Sequence, residues 1–172
     1  YLLRGALYLS LKNYDLSLLD LQEAKRAYEQ INDNTLQYSS CLSALSTLYL
    51  EQQEYALSRI YADESLYVAL LNSTQDKPAG QVLVSMSNVA FLYQNLGMYK
   101  KSNDLFHQIM DQSTKYGLND SYVSAANNIA IMETWKGNCE DALSLLKSAL
   151  NKAPMQYKYT IYQNILLCLY VT

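Results

Sequence analysis

The feature that most constrains this sequence is a turn that recurs between two helical patterns. Four segments align on this turn, and their anchor residues are Tyr14, Tyr55, Tyr99 and Cys139. The anchors are 41, 44 and 40 residues apart. Each is flanked by windows with apolar residues at i, i+3, i+4 and i+7, which is the period of an amphipathic helix. A unit of two helices and a turn that repeats at this length predicts a helical repeat array.

Two positions of every unit carry a small residue. Nine residues before the anchor stand Gly5, Ser46, Ala90 and Ala130, and three residues after it stand Ser17, Ser58, Ser102 and Ala142. The distance between two packed helices depends on side-chain size where they cross. The pattern therefore predicts that the two helices of each unit contact one another closely at these residues.

Glycine and polar residues predict where the helices end. Gly97 and Gly137 stand where the first helix of the third and fourth units ends, a usual place for a left-handed cap. Asn13 is predicted to adopt that conformation in the first unit. Two polar segments, residues 72–80 and 115–120, predict loops between units.

Two motifs, one in the first helices and one in a second helix, resemble those of a known family. A bulky residue, then an aliphatic, a small residue and Tyr recur at a fixed spacing, as Leu42, Leu45, Ser46 and Tyr49 and again as Met86, Val89, Ala90 and Tyr93. The second helix of the fourth unit carries Ala142, Leu146 and Ala149, and Pro154 follows. On these residues the chain resembles a tetratricopeptide repeat (TPR) protein. Its units exceed the usual length of about 34 residues, as in the long-helix repeats similar to those of kinesin light chains. Arg4 departs from the pattern, where Leu is expected.

The resemblance implies an all-α fold, a right-handed superhelical solenoid of TPR helix–turn–helix pairs. It covers essentially the whole chain, with four repeats and the first helix of a fifth. We interpret the chain as a single TPR array and as a fragment of a longer protein, because Tyr1 begins it inside a helical pattern. The predicted repeats span approximately residues 1–38, 39–81, 82–121, 122–157 and 158–172.

Asparagine recurs at one position of the first helices. Asn88 and Asn128 stand eleven residues before their anchors, and Asn164 aligns with them through the segment "YQNI". In similar TPR proteins an Asn here points into a concave groove and holds the main chain of an extended peptide. An amide suits this role because it carries both a donor and an acceptor. The alternative is that these amides pair with neighbouring helices, as buried amides usually do.

Further residues are candidates for the same peptide-binding groove because they lie within about one helical turn of these amides. They are Asn127, Phe91, Gln94, Ile131 and Trp135. For Phe91 and Trp135 the alternative is packing between repeats.

The predicted groove has no positive charge. TPR domains that bind a C-terminal carboxylate resemble one another in having Lys or Arg on the groove side of their first helices. In this chain the corresponding residues are uncharged, and they are Leu2, Ala6, Ser43, Thr47, Ser87, Phe91, Asn127 and Ile131. An anionic peptide end would lose hydration there without compensation. The net charge of −3 and the lack of a basic cluster also argue against nucleic acid as a partner.

Catalytic and metal-binding patterns are missing from the sequence. His107 is the only histidine, and Asp104 and Asp111 could at most form a helix-surface pair with it. Three widely separated cysteines do not suggest a zinc site or a disulfide framework. We therefore expect no enzymatic activity, no catalytic residue, no metal and no cofactor. The acidic residues of the second helices are interpreted as solvated faces, and they are Asp15, Asp20, Glu23, Glu29, Asp63 and Glu64.

The sequence thus predicts a non-catalytic protein- or peptide-binding TPR scaffold, which recognises a neutral extended peptide or a partner helix in its concave groove. The alternative, from fold-level analogy, is a sensory or regulatory segment of a larger bacterial two-component or transcriptional regulator. A cytoplasmic location is favoured, with a periplasmic sensory region as the alternative. The longest apolar run, residues 165–171, is too short to cross a bilayer, so we expect no membrane insertion of this fragment. Self-association through an apolar end at residues 155–172 is also open.

Overall fold

The computed structural model describes residues 1–72 and 79–171, and within these ranges the secondary structure consists of helices and turns. The prediction of an all-α chain is confirmed. The helices of these ranges are α1 (Leu2–Ser10), α2 (Tyr14–Gln30), α3 (Leu36–Glu51), α4 (Tyr55–Leu71), α5 (Ala79–Asn95), α6 (Tyr99–Tyr116), α7 (Asn119–Trp135), α8 (Cys139–Lys152) and α9 (Met155–Val171).

The chain divides into two compact units, Tyr1–Ser102 and Asn103–Thr172. In the first unit α1 packs on α2 and α3 packs on α4, while α3 also contacts α1 and α5. In the second unit α7 packs on α8 and also contacts α9. Within each unit, therefore, the first helix of one pair lies beside the first helix of the next.

The small residues lie at the contacts of α1 with α2, α3 with α4 and α7 with α8, as predicted. All eight are buried. In the first pair the Ser17 hydroxyl donates to the carbonyl oxygen of Gly5 at 2.9 Å, and in the second the Ser46 hydroxyl donates to that of Ser58 at 2.7 Å. A Cβ atom added at Gly5 would lie 2.8 Å from Cγ of Leu21, which is closer than real Cβ atoms approach. Side-chain size at this crossing is thus at its lower limit.

Serine hydroxyls continue the contact along α3 and α4. Ser39 donates to the carbonyl oxygen of Ser65 at 2.9 Å, and Ser65 donates to that of Ser39 at 2.8 Å. The hydroxyls of Ser43 and Ser65 are 3.1 Å apart. Because these hydroxyls bond across the contact, they can be buried without the cost of an unpaired polar group.

Large apolar side chains fill the space around these contacts. In the first unit the core includes Leu21, Leu42, Leu45 and Leu48, all fully buried. In the second unit the core combines small and large residues, among them Ala126, Ala130, Leu146 and Ile161.

The left-handed caps confirm the glycine predictions and correct the asparagine one. Gly97 and Gly137 have φ of 71° and 85°. In the first repeat the left-handed residue is Lys12, with φ of 58°, and not Asn13. Asn13 has φ of −88° and instead caps α2, where its side chain accepts a hydrogen bond from the Leu16 amide. The prediction for Asn13 was wrong because the left-handed residue comes two positions before the anchor Tyr14, at Lys12. Asn13, the next residue, is the N-cap of the following helix, α2.

The predicted loops are shorter than expected. Asn72 is buried, and its amide donates to the carbonyl oxygens of Asn34 and Val68 at 2.6 and 2.8 Å. Gly80 already belongs to α5, and residues 73–78 of this predicted loop lie outside the described residues. In the second predicted loop, α6 ends at Tyr116 and α7 begins at Asn119. Helices thus extend into both polar segments.

The interpretation of Asp20 as solvated was wrong. Its side chain is 4% exposed and forms a bidentate ion pair with Arg4, with N–O distances of 2.6 and 2.7 Å. The Asp20 Cβ would lie 3.2 Å from a Cβ at Gly5, so the close approach of α1 and α2 brings the carboxylate to the arginine on α1. The hydrogen bonds from Arg4 hold the pKa of Asp20 below its ordinary value, against the opposing effect of partial desolvation.

We expect Asp20→Asn to destabilise the protein at neutral pH and to have progressively less effect in acid. A carboxyl whose pKa is lowered by folding stabilises the folded state above its unfolded pKa of about 3.9. This stabilisation is lost as the pH falls below that value through the folded pKa. Urea unfolding midpoints of wild type and variant, measured from neutral pH to the acid limit of folding, should therefore converge below roughly pH 4.

The control is Asp111→Asn, which changes an exposed carboxyl on α6 in the same way. Its difference from wild type should be small throughout the range. A wild-type advantage over Asp20→Asn that stays constant with pH would contradict the assignment of this ion pair.

Candidate functional site

A neutral groove runs between α3 and α5 in the first unit. It consists of two cavities of about 300 and 260 Å³ that share Ser40 and Asn88 as lining residues. We call it the α3–α5 groove, and its lining residues are Leu36, Gln37, Ser40, Ser43, Ala44 and Thr47 from α3 and Gly80, Gln81, Val84, Ser85, Asn88, Phe91 and Leu92 from α5.

The lining of the α3–α5 groove is uncharged. Two of its hydroxyls bond to their own helix, because Ser40 donates to the Leu36 carbonyl oxygen and Thr47 to that of Ser43, both at 3.0 Å. Apolar surface comes from Val84 and Phe91, whose side chains are more than half exposed. The groove therefore offers apolar contacts and a few polar groups, without a charge that a ligand would have to compensate.

Asn88 lies where the two cavities meet. Its side chain is exposed, and within the described part of the chain no hydrogen bond reaches its amide. Both the donor and the acceptor of this amide thus face the α3–α5 groove unpaired, which is the arrangement that pairing with a peptide N–H and C=O would need.

The amides of the second unit have different surroundings. Asn128 donates to the carbonyl oxygen of Ser124, one turn earlier in α7, at 2.9 Å. Asn164 of α9 donates to the side-chain oxygen of Asn127 of α7 at 2.7 Å. All three side chains are partly exposed. Their assignment as peptide-binding residues stays a prediction, as does that of Asn88.

The remaining candidate residues are placed as follows. Phe91 lines the α3–α5 groove beside Asn88. Gln94 is partly buried, and its side-chain oxygen is buried without a hydrogen-bond partner. In the second unit Ile131 is partly buried, and Trp135 is 63% exposed at the end of α7. The structure thus brings Asn88 and Phe91 together in one groove and gives Gln94 no place in its lining.

Sequence reasoning missed most of the residues that line the α3–α5 groove. The missed residues include Ser40 on α3 and Gln81 and Val84 on α5. A signal was present, because Ser40 stands four residues before Ala44, the position that aligns with Asn88. Gln81 and Val84 stand seven and four residues before Asn88, on the same helix face.

His107 and the three cysteines are the remaining candidates for chemistry in the sequence. His107 is exposed on α6, and among the described residues no ion pair joins it to Asp104 or Asp111. All three cysteines are buried, and burial raises the pKa of the Cys41 thiol to about 12. Within residues 1–72 and 79–171, no group of three or more His, Cys, Asp or Glu side chains could hold a metal ion. In the same ranges no helix has both the length and the apolar character that crossing a bilayer requires.

These helix pairs form an all-helical repeat fold that resembles the fold of tetratricopeptide repeat proteins. Residues 123–153, from α7 to the end of α8, match the family model described as Tetratricopeptide repeat. The resemblance to TPR proteins and the helical-repeat fold class are confirmed.

Solved structures share this fold, and one of them matches most of the chain. It is the crystal structure of BtubC (BKLC) from P. vanneervenii, with a TM-score of 0.73 at 18% sequence identity. The match covers 92% of this chain and 65% of that one, so this chain spans just under two thirds of the length of its structural relative. No curated protein sequence matches the chain.

The Asn127–Asn164 bond should be measurable as an energetic coupling between α7 and α9. We expect a double-mutant cycle of Asn127→Ala and Asn164→Ala, followed by urea unfolding, to give a coupling of about 0.5–1.5 kcal/mol. The reason is that the second substitution removes nothing once the first has broken the bond. If the two substitutions changed the free energy of unfolding by strictly additive amounts, the hydrogen bond between Asn127 and Asn164 would be contradicted. Both amides would then be unpaired candidates for peptide binding.

Proposed function

We propose that this chain is a protein-binding scaffold whose α3–α5 groove takes an extended, uncharged peptide segment of a partner protein. TPR repeats generally mediate protein–protein interaction, and the TPR-type fold is typically a non-catalytic scaffold. The observation that carries the finer proposal is Asn88, an exposed amide at the junction of two neutral cavities that has no hydrogen-bond partner among the described residues.

The Asn88 amide would supply main-chain recognition. An extended peptide presents an N–H and a C=O that point sideways, and a single side-chain amide can bond to both. Such bonds are indifferent to the peptide's side chains, so they provide affinity without sequence preference. Because the hydroxyls of Ser40 and Thr47 are already bonded within α3, the amide of Asn88 is the better-placed polar partner.

Selectivity would come from the apolar and neutral character of the lining. Val84 and Phe91 expose apolar surface to peptide side chains of the same kind. A charged peptide residue would lose hydration in the groove without gaining an opposite charge. We therefore propose ligands with small or apolar side chains and no charge at the central positions. A partner helix in the groove and a role within a bacterial regulator stay predictions from the sequence.

The test is a selection of short random peptides displayed against the wild-type chain, followed by titration of the selected peptides. We expect uncharged sequences to be enriched. We also expect Asn88→Ala to weaken their binding by about 1–3 kcal/mol, because it leaves peptide polar groups unpaired in the complex.

The matched control is Asn151→Ala, which removes an exposed amide from α8, the second helix of a pair. It should leave the affinity unchanged. Selected peptides that are acidic, or that bind Asn88→Ala as tightly as wild type, would contradict the proposal.

A further inference from the structure

The α3–α5 groove has one exposed apolar side chain of α5 in each of its two cavities. Val84 lines the larger cavity and Phe91 the smaller, and both side chains are more than half exposed. They stand seven residues apart on α5 and therefore on the same helix face. Seven residues of an α-helix span about 10 Å. A ligand that lies along the groove and fills both cavities must thus present two side chains on one side, about 10 Å apart.

The facing wall on α3 repeats with the same period. Gln37 lines the larger cavity and Ala44 the smaller, again seven residues apart, and Ser40 lines both. The two cavities therefore follow one another along the direction of the helices. Asn88 lines both cavities from α5. Its amide lies between the two apolar positions, beside the main chain of a ligand whose side chains fill the cavities.

The face of α5 that carries Val84 and Phe91 corresponds to a face that is open in other repeats. The residues at the same two positions of the second and fourth repeats are exposed or partly exposed, and they are Ser40, Thr47, Ser124 and Ile131. On another face of α5, Met86 and Ala90 are fully buried. The groove therefore lies on a side of the first helices that the second helices do not cover.

Among the regular conformations of a peptide, polyproline II fits both the spacing of the cavities and the Asn88 amide. It has three residues per turn and a rise of about 3.1 Å, so residues i and i+3 lie on one side, about 9 Å apart. In a β-strand the residues on one side are about 7 or 14 Å apart. A helix would fit at i and i+7, but its N–H and C=O groups bond within the helix and would leave Asn88 without a partner. A polyproline II segment makes no internal hydrogen bonds, so its carbonyl oxygens are free to accept from Asn88.

We infer that the ligand of the α3–α5 groove is an uncharged, proline-rich segment in the polyproline II conformation, with apolar side chains at i and i+3. This inference rests on the proposed function, which it narrows from any extended peptide to one backbone conformation. One apolar side chain enters the cavity of Val84 and the other enters that of Phe91, while Asn88 donates to a carbonyl oxygen between them. Proline suits such a segment because it has no charge, as the groove has none, and because it fixes the backbone before binding.

The first test compares three synthetic peptides of identical composition, blocked at both ends and titrated against the full chain. Each consists of Ala, Gln and Pro with two Leu, which stand at i and i+2, at i and i+3 or at i and i+4. The i,i+3 peptide should bind at least about 10-fold more tightly than the others, because it can bury both Leu side chains at once. Replacing its prolines by glycine should weaken binding by about 3- to 10-fold, since the free peptide then has more conformations to lose.

The second test asks which cavity each Leu fills. Either Leu of the i,i+3 peptide is changed to Ala, and the affinities for wild type, Val84→Ala and Phe91→Ala are compared. Val84→Ala should weaken binding while one particular Leu is present, and Phe91→Ala while the other is present. Ile60→Ala, which shortens a 53% exposed side chain on α4, should bind every peptide like wild type.

The outcomes separate this inference from the proposed function. The inference is overturned if the i,i+2 or i,i+4 peptide binds as tightly as the i,i+3 peptide. It is also overturned if none of the three binds while uncharged peptides selected from the random library do, and in both cases the proposed function stands as long as binding depends on Asn88. A library that yields no uncharged peptide whose binding depends on Asn88 would overturn both.

Discussion

The close approach of paired helices is the constraint on which the rest of the structure depends. At the contact of α1 with α2 there is no room for a methyl group on Gly5. At the contact of α3 with α4 the Ser46 hydroxyl reaches the Ser58 carbonyl oxygen directly. Helices held this closely pack as rigid pairs, and the pairs then place first helices side by side. The α3–α5 groove exists because two such first helices are neighbours.

The close approach also explains polar residues that would otherwise be costly to bury. Asp20 is shielded from water because α1 brings Arg4 onto it. The serines of α3 and α4 bond to each other and to carbonyl oxygens across the contact. These groups are satisfied by partners on the facing helix, so short polar side chains can occupy positions that elsewhere require alanine or glycine.

The repeat and its helix contacts could be predicted because they recur. Four copies of one spacing made the small residues visible, and the structure places them at the contacts of α1 with α2, α3 with α4 and α7 with α8. Structural features that occur in only one repeat could not be predicted in the same way. The burial of Asp20 depends on Arg4, a residue that departs from the pattern of the other repeats. The left-handed residue of the first repeat is Lys12, whose type gives no indication of that conformation.

In the candidate site, too, recurring features could be predicted from the sequence and features that occur once could not. The position of Asn88 on an exposed face of a first helix followed from its place in the repeat. The bond between Asn127 and Asn164 did not, because it depends on how two neighbouring first helices are offset. The sequence pattern treats Asn88, Asn128 and Asn164 as equivalent, whereas their hydrogen-bond partners differ. Their shared position therefore does not establish a shared role. Of the three, Asn88 is the one in a groove whose amide has no hydrogen-bond partner among the described residues.

Gly5→Ala, compared with Gly80→Ala, tests the close-approach account most directly. Alanine normally stabilises a helix relative to glycine by roughly 0.5–1 kcal/mol, and at Gly80 no atom lies within 4 Å of an added Cβ. We expect the free energy of unfolding of Gly80→Ala, measured in urea, to be at least as large as that of wild type. The account predicts that Gly5→Ala will be less stable by about 1–3 kcal/mol, because Leu21 must move. A Gly5→Ala variant stabilised as much as Gly80→Ala would contradict it.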